Sequence, residues 1–291
     1  MTRINDLSFR LRDDLTPPTL PPSPKLGLIL DGLHKPTLKL SNYIRPALAK
    51  PPAAVSRPHP DFQWGMLAND RLGDCVIAMM LHSIEDFHLD AQTPVPQFTD
   101  DDAVSLYSAI TGYNPDDPNS DQGTNESTAM QYWEQHGLHT SDGNPHQIVA
   151  TVAVDPSDVN ECRIAIDEFV DLQIGIALPL TAQGQTEWTV VGNGRTGRSA
   201  PGSWGGHGIP YREYDADTFK CVTWAQELLM TVPFHQAYAQ EAHVVVTREM
   251  LNKQGVGPSG VAWDELIADI RALPGQQAAG YPAGAPLTTL A

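Results

Sequence analysis

The stretch that decides the fold is Trp64-Gly65-Met66-Leu67-Ala68-Asn69-Asp70-Arg71-Leu72-Gly73-Asp74-Cys75, followed by an apolar run over residues 76–80. A loop rich in glycine and aspartate leads to a cysteine in the predicted first turn of a buried helix. The unpaired N–H groups and the positive end of a helix dipole stabilise a thiolate, which is the nucleophilic form of cysteine. Asn69 lies upstream, where its side-chain amide is placed to donate to an oxyanion formed beside the sulfur.

A second stretch far downstream carries a candidate base. Residues 202–208, Gly-Ser-Trp-Gly-Gly-His-Gly, place His207 at the start of a predicted strand. A cysteine at a helix N-terminus and a distant histidine on a strand are the pair that nucleophilic catalysis requires. The sequence therefore predicts that Cys75 attacks a carbonyl carbon and that His207 moves the proton.

These blocks resemble the papain-like (C1-like) cysteine peptidases over residues 61–235. The spacing of Asn69 and Cys75 is similar to that of the family's oxyanion-hole amide and nucleophile, and residues 205–209 are similar to its histidine strand. Residues 172–179, 213–215 and 222–224 resemble further family strands and turns. The 64–75 block also resembles uncharacterised papain-like proteins of bacteriophages and bacteria. The resemblance implies an α+β fold, with the cysteine on the central helix of an N-terminal helical half and the histidine in a largely antiparallel sheet half.

The chain departs from the family at the residue that orients the histidine. The family has an asparagine there, whereas counting from His207 gives Thr223 and aligning on the following tryptophan gives Val222. A hydroxyl is a weaker partner than an amide, and valine cannot hydrogen bond, so the imidazole is less well held in its productive tautomer. Asp215 or Asp217 are alternative partners. The departure predicts weak or absent catalysis.

Two functions from different classes follow. The first is a cysteine hydrolase, a peptidase or amidase acting by acyl transfer on a peptide substrate, with Cys75, His207, Asn69 and Thr223 as its site. The second is a structural component of a bacteriophage virion, associated with capsid or tail, which retains the fold and assembles through its N-terminal arm. A thiol in a reducing host cytoplasm suits either function, since three cysteines form no disulfide framework.

The N-terminal arm, residues 1–60, differs in composition from the rest of the chain. It holds nine Lys/Arg, four Asp/Glu and eleven of the 25 prolines, whereas residues 61–291 hold nine Lys/Arg and 31 Asp/Glu. Proline at this density favours an extended chain. The arm is therefore a disordered leader or a basic strap on acidic surface. The family resemblance adds an inhibitory pro-segment, but such segments are normally helical and charged, and this proline-rich stretch is not. The apolar clusters at 26–30 and 38–40 favour a strap that docks on a partner subunit, or in a homo-oligomer, rather than on its own body.

Composition excludes several other classes. The net charge of −17 argues against nucleic acid as a ligand. No apolar run approaches the roughly 20 residues of a membrane span, and residues 1–6 do not start a secretion signal. The glycine pattern at 192–197 opens no predicted helix, and His136, His139 and His146 lack a recognised metal-ligand spacing. We therefore expect no cofactor and no metal.

Periodicity predicts the elements and the domain organisation. Helices are expected over 75–90, 103–110, 124–136, 157–169, 230–242 and 263–273, and strands over 148–154, 172–178, 208–214 and 218–224, with 244–247 either a short strand or a helical continuation. Cys162 and Cys221 fall on such elements as core residues. The predicted domains are the arm (1–60), the papain-like domain (61–235), a C-terminal helical extension (236–273) and a flexible tail (274–291).

Overall fold

The computed structural model describes residues 24–30 and 38–273. The predicted tail, 274–291, lies outside the described residues. Three helices form the first half of the body: α1 (Cys75–Asp90), α2 (Asp100–Thr111) and α3 (Glu126–His136). They share one apolar cluster, in which α1 is buried along most of its length. None of the helices in the described part of the chain has the length and apolar character of a bilayer-crossing segment.

Local chemistry explains where α2 begins. Asp102 donates its backbone N–H to the Thr99 side chain, and the Thr99 backbone N–H returns a bond to the Asp102 carboxylate at 2.9 Å. This reciprocal capping satisfies two backbone donors that a helix otherwise leaves unpaired. The helix predicted over 103–110 is present, and it begins three residues earlier, at Asp100.

The second half is built on an eight-stranded sheet in the order β1-β4-β10-β5-β7-β8-β9-β6. Only the β1–β4 and β6–β9 pairs at its two edges are parallel, and the other neighbours are antiparallel. A second apolar cluster fills the face of the sheet that carries α4 (Val159–Phe169), α5 (Val232–Tyr238) and α6 (Trp263–Ala272). The strands are β1 (Leu38–Lys39), β4 (Ala150–Ala153), β5 (Leu172–Leu178), β6 (Glu187–Trp188), β7 (Gly205–Tyr214), β8 (Thr218–Thr223), β9 (Gln226–Thr231) and β10 (Ala239–Val246), with β2 (Leu138–His139) and β3 (Pro145–His146) pairing separately.

The chain between 226 and 246 differs from the sequence prediction. A helix was expected over 230–242, but β9 ends at Thr231, α5 has only seven residues, and β10 begins directly at Ala239. β10 lies between β4 and β5, near the centre of the sheet. Residues 236–273, predicted as a helical extension, therefore supply a central strand as well as α6. The prediction failed because no glycine or proline separates α5 from β10, so nothing in the local sequence marks the boundary.

The elements that carry the two candidate catalytic residues are joined at two points. Near the start of α1, the Cys75 sulfur accepts the backbone N–H of Gly208 in β7 at 3.4 Å. Near its end, Arg212 of β7 donates to the Asp86 carboxylate at 2.9 Å, and both side chains are buried. A buried ion pair adds little net stability, but it fixes which residues face each other. The two contacts set the register of α1 against β7.

The described parts of the arm pack on the body of their own chain. β1 extends the sheet at β4, and Val55 pairs with Tyr214 at the end of β7. Arg57 reaches further in and donates to Asp90 and to the backbone carbonyls of residues 166, 170 and 212. These arm residues dock on the body of their own chain, whereas the sequence predicted docking on a partner subunit. The extended chain that the prolines predict agrees with the described arm residues, in which regular structure is limited to β1 and one short 3-10 turn at Leu40–Asn42.

Candidate active site

Cys75 is the first residue of α1, as the sequence predicts. Its side chain is 1% exposed, and the preceding Asp74 is fully buried. The Asp74 side chain does not cap the helix, although aspartate is a common residue at this position. Its carboxylate accepts the Asn69 amide instead, at 3.1 Å, because the Gly-rich loop folds back on itself here. Burial raises the Asp74 pKa well above its ordinary value.

His207 immediately precedes Gly208, whose backbone N–H binds the Cys75 sulfur, so the β7 backbone places His207 one residue away from the contact with the nucleophile. The Nε2 atom of His207 lies 2.7 Å from the Thr223 hydroxyl oxygen. Its Nδ1 atom has no hydrogen-bond partner among the described residues, so no hydrogen bond joins it to the sulfur here. One ring nitrogen is thus held and the other is available for proton transfer.

Strand alternation explains why Thr223, not Val222, faces the histidine. Tyr211 lies opposite Cys221 in the β7–β8 register, and successive side chains point to opposite faces of a sheet. His207 and Thr223 therefore project from the same face, and Val222 projects from the other. The question that the sequence left open is answered by sheet geometry. Asp215 is occupied elsewhere, since its carboxylate accepts the backbone N–H groups of residues 217 and 218.

Trp224 covers His207. The two rings stack at 4.4 Å between centroids with a 14° interplanar angle. Trp224 and Ala225 form the two-residue connection between β8 and β9, with φ values of 45° and 62°. Left-handed φ values at both positions suit a tight hairpin, but for residues other than glycine they are strained. The strained turn places an apolar lid over the imidazole.

Asn69 lies at the site, but its amide protons are already used. Its Nδ2 atom donates to Asp74 and to the Leu72 carbonyl at 3.2 Å. The side chain is 2% exposed. In this state Asn69 organises the loop before Cys75, and it can serve an oxyanion only after giving up one of these bonds.

The cleft between the two halves is filled by residues 25–29, here called the cleft segment. Leu28 donates its N–H to the Gly206 carbonyl at 3.1 Å, next to His207. On the other wall, Thr124 donates to the Gly27 carbonyl at 2.9 Å and accepts the Ile29 N–H at 3.0 Å. The segment thus forms backbone pairs with the walls of both halves. The sequence marked 26–30 only as an apolar anchor, because pairing over such sequence separations leaves no local pattern.

Close contacts show how tightly this segment fits. A Cβ atom on Gly27 would lie 1.7 Å from the Gly73 carbonyl oxygen, and one on Gly123 would lie 2.0 Å from the Gly27 carbonyl oxygen. Glycine is therefore required where the segment crosses the loop before Cys75. At its start, the Lys25 N–H donates to the Asn69 carbonyl at 3.2 Å, and the Lys25 carbonyl accepts the Trp224 indole N–H at 3.3 Å.

Burial sets the charge state of the covered pair. Burial raises the pKa of the Cys75 thiol to about 12, although hydrogen bonds from backbone groups of Gly208, Gly27 and Leu28 oppose the rise. Burial also lowers the pKa of His207 to about 3. Both groups are neutral near pH 7 in this closed state. The thiolate expected from the helix dipole is not favoured here, because loss of water outweighs the dipole.

A second cysteine–histidine pair lies in the core. The Cys162 sulfur is 3.8 Å from Nε2 of His235, and both residues are fully buried. That nitrogen also donates to the Pro156 carbonyl at 2.7 Å, which leaves it no proton-transfer role. Burial lowers the pKa of His235 to about 4 and raises that of the Cys162 thiol. The pair packs the sheet against α4 and α5, in keeping with the core role expected for Cys162.

The fold is papain-like, as comparison with solved structures shows. Xylellain, a cysteine protease from Xylella fastidiosa, superposes with a TM-score of 0.58 at 14% identity, over 77% of this chain and 97% of that one. The cysteine protease and lectin-like domains of Cwp84 from Clostridium difficile give 0.53 at 11% identity, over 76% and 55%. Digestive procathepsin L 3 from Tenebrio molitor larval midgut gives 0.50 at 12% identity, over 72% and 75%. Neither a protein-family model nor a curated protein sequence matches the chain.

Proposed function

We propose that this chain is a cysteine hydrolase, a peptidase or amidase that acts by acyl transfer and is held closed by its own cleft segment. One observation carries the proposal. Cys75 begins a buried helix, its sulfur binds the N–H of the residue after His207, and the far nitrogen of that histidine is held by Thr223. A nucleophile, an adjacent base and a third group that orients the base together define this class of site.

The chemistry follows from these positions once the cleft is open. His207 takes the thiol proton at Nδ1, and the Cys75 sulfur attacks the substrate carbonyl carbon. The tetrahedral oxyanion accepts hydrogen bonds from the backbone N–H of Cys75 and from the side-chain amide of Asn69. That amide must first give up its hydrogen bond to Asp74. His207 then protonates the leaving amine, which departs and leaves a thioester on Cys75. Water, deprotonated by His207, attacks the thioester and releases the carboxylic acid and the free thiol.

The cleft segment is held as an inhibitor rather than as a substrate. Backbone groups of Gly27 and Leu28 hydrogen bond to the sulfur and lower the thiol pKa, as N–H donors do. The carbonyls of Lys25 and Gly27 accept hydrogen bonds from Trp224 and Thr124 on the cleft walls. Attack needs a carbonyl carbon in front of the sulfur, and here the sulfur meets N–H groups instead. The segment therefore blocks the site without being cleaved.

Labelling of Cys75 by a peptidyl vinyl sulfone tests this proposal in the full chain. Gly27→Val should expel the segment, since its side chain has no room against Gly73. We expect rapid labelling of Gly27→Val, little labelling of the wild type, and none of Gly27→Val/Cys75→Ala. Ile29→Ala is the matched control within the segment, because that side chain is 46% exposed. An unreactive Cys75 in Gly27→Val, in protein whose circular dichroism matches the wild type, would refute the proposal.

The alternative function makes the opposite prediction for the same experiment. A virion component that keeps the fold for assembly needs no reactive thiol, so Gly27→Val would stay unlabelled. Assembly through the N-terminal arm, as a homo-oligomer or with other proteins, stays a prediction from sequence. Light scattering of the full chain at low and high salt tests it, since contacts between a basic arm and an acidic body weaken with salt.

A further inference from the structure

A chain of hydrogen bonds joins the loop before the nucleophile to one wall of the cleft. The backbone N–H of Gly73 donates to the Asp121 carboxylate, at 3.0 Å to Oδ1 and 3.2 Å to Oδ2. Tyr107 of α2 donates its hydroxyl proton to Oδ1 of the same carboxylate at 2.8 Å. The Tyr107 oxygen in turn accepts the backbone N–H of Gly123 at 2.8 Å. Two side chains thus connect two backbone segments that are far apart in the sequence.

The Tyr107 hydroxyl is suited to link its two neighbours. The residue is fully buried, and burial together with the bond to Asp121 raises the pKa of the hydroxyl above its ordinary value. The hydroxyl therefore keeps its proton and donates it to the carboxylate. An oxygen whose proton is given to a carboxylate is a stronger acceptor, so the bond to Asp121 and the bond from Gly123 strengthen each other.

Both ends of this network are glycines that lie against the cleft segment. A Cβ atom on Gly73 would lie 3.2 Å from the Leu26 carbonyl oxygen, and one on Gly123 would lie 2.0 Å from the Gly27 carbonyl oxygen. Gly123 also has a φ of 74°, in the left-handed region. Glycine permits this turn and this close approach, but it is the residue whose backbone is least restricted. The hydrogen bonds of the network therefore hold two segments that their own residues leave free.

The wall held in this way is the one that pairs with a peptide backbone. Thr124, the residue after Gly123, donates to the Gly27 carbonyl at 2.9 Å and accepts the Ile29 N–H at 3.0 Å. At the other end of the network, Gly73 lies two residues before Cys75. One network thus ties the surface that binds a peptide to the loop that carries the nucleophile. Acyl transfer depends on the distance between the two, because a carbonyl carbon misplaced by about 1 Å reacts far more slowly.

We propose that Asp121 and Tyr107 are positioning residues, which act through the backbone of Gly73 and Gly123 to hold the peptide-binding wall in register with Cys75. The proposal rests on the hydrolase function above and adds two residues to it. The cleft segment uses the same wall, so the network sets both how firmly the segment closes the site and how a substrate lies once the segment has left.

Two probes of different size test the network in the full chain carrying Gly27→Val. A peptidyl vinyl sulfone pairs with the wall when it reaches Cys75, whereas iodoacetamide is too small to use the wall. Tyr107→Phe removes the hydroxyl and leaves the Gly123 N–H without its acceptor. We expect the ratio of the peptide rate to the iodoacetamide rate to fall roughly tenfold. Tyr113→Phe is the matched control, since it removes a hydroxyl from the ring that packs on Tyr107 at 5.0 Å, and it should keep the ratio.

Substitutions of Asp121 supply a second test, with rescue by a conservative variant. Asp121→Ala should lower the rate ratio as Tyr107→Phe does. Asp121→Asn should restore most of it, because its amide oxygen still accepts from Gly73 and Tyr107. A loss of stability in Tyr107→Phe and Asp121→Ala with an unchanged rate ratio would mean that the network only supports the fold, and would overturn the proposal.

The closed chain gives a readout that needs no reaction. In otherwise wild-type protein, Tyr107→Phe should raise amide exchange at Ile29 roughly tenfold, because its partner Thr124 is held less firmly. Unchanged exchange at Ile29 would contradict the proposal, as would an unchanged rate ratio, and both outcomes leave the hydrolase standing. A Gly27→Val parent that the peptide does not label refutes the hydrolase itself, and the positioning role with it.

Discussion

At the scale of single residues, Thr223 sets the orientation of His207. Thr223→Val removes the hydroxyl that lies 2.7 Å from Nε2 and leaves a buried ring nitrogen unpaired. We expect a loss of about 1–3 kcal/mol in unfolding free energy. In the Gly27→Val background the labelling rate of Cys75 should fall roughly tenfold, since the productive tautomer is no longer held. Thr223→Ser keeps the hydroxyl and is the control. Equal rates for Val and Ser would show that this contact does not orient the base.

The buried histidine also makes closure of the cleft depend on pH. The pKa of His207 is about 3 when covered, against roughly 6.5 in water. Between these values the open form binds more protons than the closed form, so closure is complete above about pH 6.5 and weakens as pH falls. The opening constant should rise roughly tenfold for each pH unit below 6.5. Amide exchange at Leu28 and Ile29, corrected for intrinsic rates, measures this opening. His207→Gln should abolish the dependence, and a dependence that survives would contradict this cause.

At the scale of elements, β10 shows which parts of the fold the sequence encodes locally. The prediction of α1 is confirmed at both ends, because a polar loop leads into a continuous apolar run. The prediction of β5 is also confirmed, because a buried strand has a recognisable length and composition. β10 was missed, since its place between β4 and β5 comes from pairing with strands 63 to 96 residues earlier in the chain. The cleft segment was missed for the same reason.

The central position of β10 predicts the effect of substitutions there. Val244 is fully buried and faces Val152 of β4, so Val244→Ala leaves a cavity in the sheet core. We expect a loss of about 2 kcal/mol in unfolding free energy by urea denaturation. Gln240→Ala, at an exposed position of the same strand, should change it by less than about 0.5 kcal/mol. A Val244→Ala loss no larger than the Gln240→Ala loss would mean that β10 is peripheral.

At the scale of the whole molecule, the arm is fixed to the body by Arg57. Its guanidinium donates to Asp90 and to three backbone carbonyls of the body. Arg57→Ala should cost about 2 kcal/mol, because these acceptors lose their donors. Arg57→Lys should recover little, since an ammonium cannot donate in several fixed directions. Arg45→Ala, which breaks an exposed ion pair with Glu265, should cost under about 1 kcal/mol. Similar losses for Arg57→Ala and Arg45→Ala in urea denaturation would contradict this role.

The candidate site was predictable from sequence to different degrees. Cys75 and His207 carry recognisable local sequences, and the Cys75 sulfur contacts the backbone of the residue that follows His207. Thr223 needed the strand register before it could be preferred over Val222.

The thioester on Cys75 is the central claim, and intact-mass spectrometry tests it most directly. Gly27→Val protein is mixed with a peptide nitrophenyl ester, and the reaction is stopped with acid. We predict an acyl adduct on Cys75 within the first turnover, followed by steady release of the acid. His207→Ala should form the adduct far more slowly, and Cys75→Ala should form none. Hydrolysis without an adduct, or an adduct that forms equally fast in His207→Ala, would contradict the account.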